Sequence, residues 1–332
     1  MEMRLVAEVP NGAQWQYEPK WDGFRCVAFR SGRDVTLQSK AGQALERYFP
    51  EVVDALLRVR GEEFVLDGEL VVASAGALSF DALQQRIHPA ASRVAKLSQS
   101  SPAWYLVFDL LSKDGAALVD LPLSDRRERL EAFAPAFDGV TVRLSPATRE
   151  RRVVDDWFAR VGGALDGIVA KRTDLPYASG KRDAAVKVKR ERTADCVVGG
   201  FRYAKGERRA VGSLLLGLYD DEGLLDHVGF CSAFPAAERA ALHERLRPHI
   251  GEPGFTGSAP DSAPSRWSRG VDRDRSYVKL KHDLVLEVAF DQVTGGRIRH
   301  GTRPLRWRPD KPPRQCTLDQ LATPDRAIAL LD

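Results

Sequence analysis

Residues 63–73 carry the pattern that most restricts how the chain can fold. Phe64-Val65-Leu66-Asp67-Gly68-Glu69-Leu70-Val71-Val72 is apolar at both ends and places Asp-Gly-Glu in the middle. The β-branched and large apolar residues read as a strand. Burying Glu69 there without a partner would be costly. One reading is a β-bulge at Gly68 that turns the acid outward. The other is that Glu69 faces a polar site, where it binds a ribose hydroxyl or a metal. Residues 104–111 (Trp-Tyr-Leu-Val-Phe-Asp-Leu-Leu) form a second, nearly continuous apolar strand with one acid, Asp109. Phe108 within it is either plain core or a surface on which a purine stacks.

A second constraint lies earlier. Glu18-Pro19-Lys20-Trp21-Asp22-Gly23-Phe24-Arg25 brings a lysine, a carboxylate, a glycine and an arginine within six residues. A charged β-turn between strands would explain it. So would a nucleotide site: Lys20 as an amine nucleophile, Arg25 as a fixed cation for a phosphate or ribose, and Gly23 for a tight turn or close backbone approach. Residues 6–9 read as a weak strand, and residues 1–17 are otherwise mixed. Residues 24–30 and 34–38 alternate apolar and polar and are joined by Ser31-Gly32-Arg33, a hairpin. Residues 43–59 have helical spacing, interrupted near Pro50. Residues 79–88 read as a helix capped by Ser79, with Asp81 in its first turn. Residues 124–133 and 149–161 read as helices and 139–144 as a strand. Asp166-Gly167-Ile168-Val169-Ala170-Lys171-Arg172 repeats the theme of an acid and glycine opening an apolar strand that ends in cations. Period-two spacing puts Lys187 and Lys189 on one strand face. Like charges so placed call for an anion between them, or mark an exposed, lysine-protected edge. Gly180-Lys181 is not a phosphate loop, because Leu175 stands where its first glycine belongs and Arg182 replaces the Ser/Thr.

Length and texture set the domain count. At 332 residues the chain exceeds one typical core. Before about residue 190 strands alternate with helices. After it come short strands at 194–202, 212–219, 224–231, 276–281 and 284–290, one helix at 235–246 and a Gly/Pro/Ser-rich loop at 251–268. That texture suits a small barrel of the OB type. The expected domains are 1–190 and 191–332, with a terminal helix from Asp319. The net charge is only +4, but residues 181–192 hold six Lys/Arg against two acids, and residues 297–314 hold seven against one. Such clusters suit polyphosphate or nucleic acid, or else form solvated charged faces. The four cysteines form no Cys-x-x-Cys pair and the six histidines are scattered, which argues against a disulfide framework and a zinc site. No signal peptide or membrane-length apolar run is present, so a cytoplasmic protein is expected.

Taken in order, Lys20-x-Asp22-Gly23-x-Arg25, Ser39-Lys40-x-Gly42, Asp67-Gly68-Glu69, Phe108-Asp109, Asp166-Gly167-x-Val169-x-Lys171, Lys187-x-Lys189 and Arg308-x-Asp310-Lys311 resemble the motif set of the covalent nucleotidyltransferases, and most closely the ATP-dependent DNA ligases. The stretches at 214–219 and 297–313 are similar to those of small bacterial ligases of the C and D types. Two positions depart from the family pattern, with Asp166 for the usual Glu and Lys40 for the usual Arg. The resemblance implies an α+β, ATP-grasp-like nucleotidyltransferase domain with antiparallel sheets and flanking helices, followed by the OB-fold barrel. It implies a minimal catalytic core that seals 5′-phosphate/3′-hydroxyl nicks in duplex DNA, in repair. Lys20 would form a lysyl-AMP from ATP. Lys187 and Lys189 would neutralise the α-phosphate. Glu18, Arg25, Lys40, Glu69, Phe108 and Lys171 would bind nucleotide, and Glu69 and Asp166 would hold Mg²⁺ or Mn²⁺. Arg308, Asp310 and Lys311 would orient the leaving pyrophosphate, swinging on a hinge near 190–193. The implied protein is a monomer on the nucleoid, with other repair proteins as further partners and no membrane. An RNA ligase or a capping-type nucleotidyltransferase is the neighbouring reading. A non-catalytic nick- or end-binding module is the one from another class.

Overall fold

The computed structural model describes residues 2–74, 76–161, 165–189, 191–258, 276–322 and 327–331. They divide between two units, Met1–Arg190 with Pro324–Asp332, and Glu191–Thr323.

The first unit runs β1 (Arg4–Leu5), β2 (Trp15–Pro19), β3 (Phe24–Ser31), β4 (Asp34–Ser39), α1 (Pro50–Arg58), β5 (Glu63–Ser74), β6 (Ala77–Leu78), α2 (Phe80–Arg86), α3 (Ala91–Ser100), β7 (Ala103–Lys113), β8 (Ala116–Ala117), α4 (Leu123–Phe133), β9 (Val142–Leu144), α5 (Arg151–Val161), β10 (Gly167–Arg172) and β11 (Ala185–Lys189). One sheet has the order β4-β3-β5-β7-β8, with β6 added to β5 and β9 parallel to β7. The other has the order β1-β11-β10-β2, antiparallel except for β1 beside β11. The Asp-Gly-Glu strand, β5, is central in the larger sheet. Its pairing with β7 shifts register between Asp67 and Gly68, so a bulge is present there. Gly68 is required at that point, since a Cβ would stand 2.6 Å from both the Tyr105 ring and the Leu106 carbonyl oxygen. Tyr105 fills this space and donates its hydroxyl to the carbonyls of Cys26 and Leu66, at 3.0 and 2.9 Å. Behind the sheet, Phe49, Val52, Leu56, Leu83 and Leu130 from the helical side close a core with Leu37, Leu66 and Leu70. A second core joins Tyr17, Trp21, Val154, Trp157 and Ile168.

Several elements differ from the sequence reading. No strand forms at 6–9, where one was expected, and the two-residue β1 lies just before it, at Arg4–Leu5. β2 was not anticipated. Pro50 begins α1 rather than interrupting it, because its missing N–H falls among the donors a first turn leaves unpaired. α3 was also missed, since Val94 is its one fully buried residue and the apolar period is faint. Ser79 caps α2 as expected, its Oγ accepting from Ala82 N at 3.2 Å.

The second unit holds β12 (Arg192–Tyr203), β13 (Val211–Tyr219), β14 (Leu225–Cys231), α6 (Arg239–Leu246), β15 (Val278–Lys279), β16 (Val285–Phe290), β17 (Val293–Thr294), β18 (Arg297–Ile298) and β19 (Arg303–Trp307). Its main sheet has the order β14-β13-β12-β16-β19, with β15 on β12. An isolated bridge between Cys231 and Thr302 links the two edges at the end of β14 and the approach to β19. Val197, Phe201, Leu214, Leu216, Val285 and Val288 fill the interior, with Leu242 and Leu246 of α6. The strand expected at 276–281 shortens to β15. The terminal helix expected from Asp319 is replaced by 3₁₀ turns at Leu318–Leu321 and Ala327–Leu330. Residues 327–331, expected with the barrel, group with the first unit, where Leu330 and Leu331 pack against its second core. The loop expected at 251–268 lies in part, and residue 190 of the expected hinge lies wholly, outside the described residues.

Candidate active site

Lys20 stands where the chain leaves one sheet of the first unit for the other, immediately after β2. Its backbone N donates to Gly167 O at 2.9 Å. The next residue, Trp21, is buried and donates its indole N–H to Ser145 Oγ at 2.9 Å, which bolts the crossing down. Gly23 admits the chain to the larger sheet, for a Cβ would stand 2.2 Å from Leu70 O. Gly167 has φ +146° and would bring a Cβ to 2.0 Å from Val188 O. Gly23 and Gly167 are therefore both needed for close approach of backbone.

A cavity of about 300 Å³ opens beside Lys20, lined from both sheets of this unit. Across the smaller sheet Glu18 lies opposite Val169, and Val169 opposite Lys187, so these side chains share one face. All three line the cavity, as does Lys171 two residues along. Lys171 Nζ lies 2.7 Å from Glu18 Oε2 and 4.2 Å from the Phe108 ring centroid. Gln16 Nε2 donates to the other Glu18 oxygen at 2.9 Å. From the larger sheet come Arg25, Asp67, Glu69 and Phe108. Arg25 binds Asp67 side-on, Nε to Oδ1 at 3.1 Å and Nη2 to Oδ2 at 2.6 Å. Asp109 is neutralised behind them by Arg126, with both contacts at 2.9 Å.

The charges are unevenly satisfied. Lys20 Nζ forms an ion pair with Asp166 Oδ2, while Asp166 Oδ1 is buried without a hydrogen-bond partner. Burial pushes the Glu69 carboxyl up to about 8, against the opposing pull of Lys20 and Arg25. Burial, then Lys20 and Lys189, lower the Lys187 ammonium from its ordinary value. An anion placed here would relieve the repulsion among these lysines. A lysine, a pair of further cations and half-satisfied carboxylates around one nucleotide-sized cavity are suited to phosphoryl transfer to an amine.

The sequence is matched by the family model described as "ATP dependent DNA ligase domain" over residues 4–189, and by "ATP dependent DNA ligase C terminal region" over residues 207–311. The chain belongs to the ATP-dependent DNA ligase family. It is 43% identical to DNA ligase C2 of Mycolicibacterium smegmatis, covering 99% of this chain and 96% of that protein. It is 40% identical to DNA ligase C of Mycobacterium tuberculosis, covering 98% and 93%. A Lig E DNA ligase structure superposes with TM-score 0.55 at 16% identity, over 93% of this chain and 100% of that one, a likeness of fold. The reaction class expected from the ordered motifs thus holds: this is an ATP-dependent DNA ligase with an adenylation domain and an OB-fold region. The capping-type and non-catalytic readings fall away.

The ligase brings together Glu18, Lys20, Arg25, Lys40, Glu69, Phe108, Lys171 and Lys187 around the cavity. Lys40 sits at its rim, 3.6 Å from Glu2 Oε1. Lys189 shares the Lys187 strand face but does not line the cavity. Asp166 lies behind Lys20 rather than on the lining. Arg308, Asp310 and Lys311 belong to the second unit. There Arg308 binds Asp310 and Asp195, with Nη1 2.9 Å from Asp195 Oδ1, and Lys311 Nζ lies 3.9 Å from Asp195 Oδ2. The run 297–314 is accordingly less bare than its composition implies, since Arg303 and Arg306 also pair, with Glu191 and Glu287, both at 2.6 Å. Sequence reasoning gave no role to Gln16, Asp67, Arg182 or Tyr177, which line the cavity or brace it. Asp67 could have been found, as the other acid of the buried Asp-Gly-Glu. The others lacked any local signal.

Proposed function

We propose that this ligase carries AMP on Lys20, hands it to the 5′-phosphate of a nick in duplex DNA, and releases it when the 3′-hydroxyl attacks that phosphate. The observation that supports this most is the setting of Lys20, an amine at a 300 Å³ cavity with Lys187 opposite and Asp166 behind. In the first step Lys20 Nζ attacks the α-phosphorus of ATP. The bond to the β-phosphate breaks and pyrophosphate leaves. The attacking amine must be uncharged, so the Lys20–Asp166 ion pair has to open and the proton has to pass to solvent. Lys187, with Lys189 beside it on β11, offsets charge on the α-phosphate. Phe108 stacks on adenine. Glu18, held on both oxygens by Gln16 and Lys171, presents a fixed acceptor to the base edge. Lys40 binds the nucleotide, Arg308, Asp310 and Lys311 orient the pyrophosphate, and Arg25 binds the ribose or, in the second step, the 5′-phosphate of the nick.

A divalent cation fits the acids present. Asp166 has a buried oxygen without a partner, and Glu69 is kept protonated by burial rather than by a donor, so a hard cation would satisfy both. Asp166 and Glu69 would hold Mg²⁺ or Mn²⁺, and when bound it supplies charge for the transferring phosphate. No cluster of three or more His, Cys, Asp or Glu suited to a metal occurs among the described residues, so Asp166 and Glu69 are the acids that would hold the cation. The basic residues at 181–192 grip duplex phosphates without reading sequence. The protein works as a monomer in repair, on the nucleoid, alongside other repair proteins.

The test is a pulse and chase. Protein loaded from α-labelled ATP is mixed with nicked DNA, nicked RNA or a DNA–RNA hybrid. Label should pass to the nicked DNA and leave as AMP when the strand is sealed. Transfer to nicked RNA alone would overturn the substrate assignment.

A further inference from the structure

Residues 173–184 join β10 to β11 and contain the stretch that failed as a phosphate loop. They are firmly docked. Leu123 N donates to Leu175 O at 3.0 Å, Ser124 N to Thr173 O at 2.9 Å, and Tyr177 N to Val119 O at 2.8 Å, which fastens the stretch to the start of α4 and the turn before it. The Tyr177 ring then faces Arg126, whose Cζ lies 5.7 Å from the ring centroid and whose guanidinium is held by Asp109. The ring is thus placed from two sides without any ligand.

Its hydroxyl closes a triangle at the cavity wall. Tyr177 OH donates to Asp67 Oδ2 at 2.7 Å and accepts from Arg25 Nη2 at 3.0 Å, while Arg25 Nη2 also donates to that same Oδ2 at 2.6 Å. A side-on pair of Arg25 and Asp67 alone can rotate as a unit about the flexible arms of both residues. A third group bonded to each of them removes that freedom. We propose that Tyr177 is a positioning residue: its hydroxyl locks Arg25 and Asp67 together, so that the Arg25 guanidinium meets the bound phosphate in one orientation when AMP is handed on. This rests on the role assigned to Arg25 above. Burial first, and the Asp67 carboxylate beside it, raise the Tyr177 hydroxyl's pKa above its ordinary value, so it remains a donor at working pH.

Tyr177→Phe removes the oxygen and keeps the ring. In single-turnover transfer from AMP-loaded protein to a nick, this variant should be slower by roughly tenfold to a hundredfold, the range for one hydrogen bond to a charged group. Loading of AMP should be retained. Asp67→Asn, which strips charge from the shared acceptor, should slow the same step. In an Arg25→Ala background Tyr177→Phe should cost nothing more, because the hydroxyl acts through Arg25. A brace with a merely structural role would lose as much in either background. Transfer at the parent rate by Tyr177→Phe, failure of that variant to load AMP, or an equal loss with and without Arg25 would each overturn the proposal. Parent-rate transfer by Arg25→Ala itself would instead remove the role of Arg25, so the two failures are separable.

Discussion

Glu69 shows how one half-buried residue links chemistry to stability. Its carboxyl titrates near 4.5 in the unfolded chain and at about 8 in the folded protein. Between those values the native state holds a proton that the unfolded chain has released, so this group makes stability fall as pH rises through the window. Glu69→Gln should therefore raise the unfolding temperature more at pH 8 than at pH 5, as followed by thermal melts. A difference that stays constant, or reverses, would deny the shift. Glu69, Lys171 and Lys187 were legible because each is a charge in an otherwise apolar strand, which a site explains as well as a bulge or an exposed edge does, and Lys20 because it clusters with Asp22, Gly23 and Arg25. Tyr177 could not be read. A tyrosine in a loop is unremarkable in sequence, and its partners lie 110 and 152 residues away.

At the scale of elements, the larger sheet depends on the glycine of Asp-Gly-Glu as much as on its acids. Gly68→Ala would thrust a methyl group to 2.6 Å from the Tyr105 ring and the Leu106 carbonyl oxygen. Relief requires Tyr105 to leave the two carbonyls it bonds. The substitution should cost about 1–3 kcal/mol in denaturant unfolding, the usual range for overpacking a tight interior. Full stability in Gly68→Ala would mean that β5 and β7 are less closely paired than described. The sequence revealed β5, β7 and β10 through their apolar runs, and β3 and β4 through alternation of apolar and polar residues around a turn. It hid β2, in which Gln16 and Glu18 are polar yet buried, since their partners Lys171 and Val169 lie far along the chain. It blurred α1 because proline is a breaker inside a helix and a starter at its first position.

For the whole molecule, two units carry two kinds of work. The first unit holds the cavity and Lys20. The second holds Arg308, Asp310 and Lys311 in an ion-pair network with Asp195. The last described residues return to the first unit through Leu330 and Leu331, so the second unit is bounded on both sides along the chain by segments anchored in the first. That return was not legible, because a short apolar tail after a Pro-containing stretch carries no address. The order of motifs along the whole chain, in contrast, carried the reaction class before any contact was known. The central claim is that Lys20 carries AMP. Intact-mass measurement after incubation with ATP and Mg²⁺, followed by peptide mapping, tests it most directly. The protein should gain one AMP, located on the peptide containing Lys20, and Lys20→Ala should gain none. Full labelling of Lys20→Ala, or AMP mapped to another lysine, would contradict it.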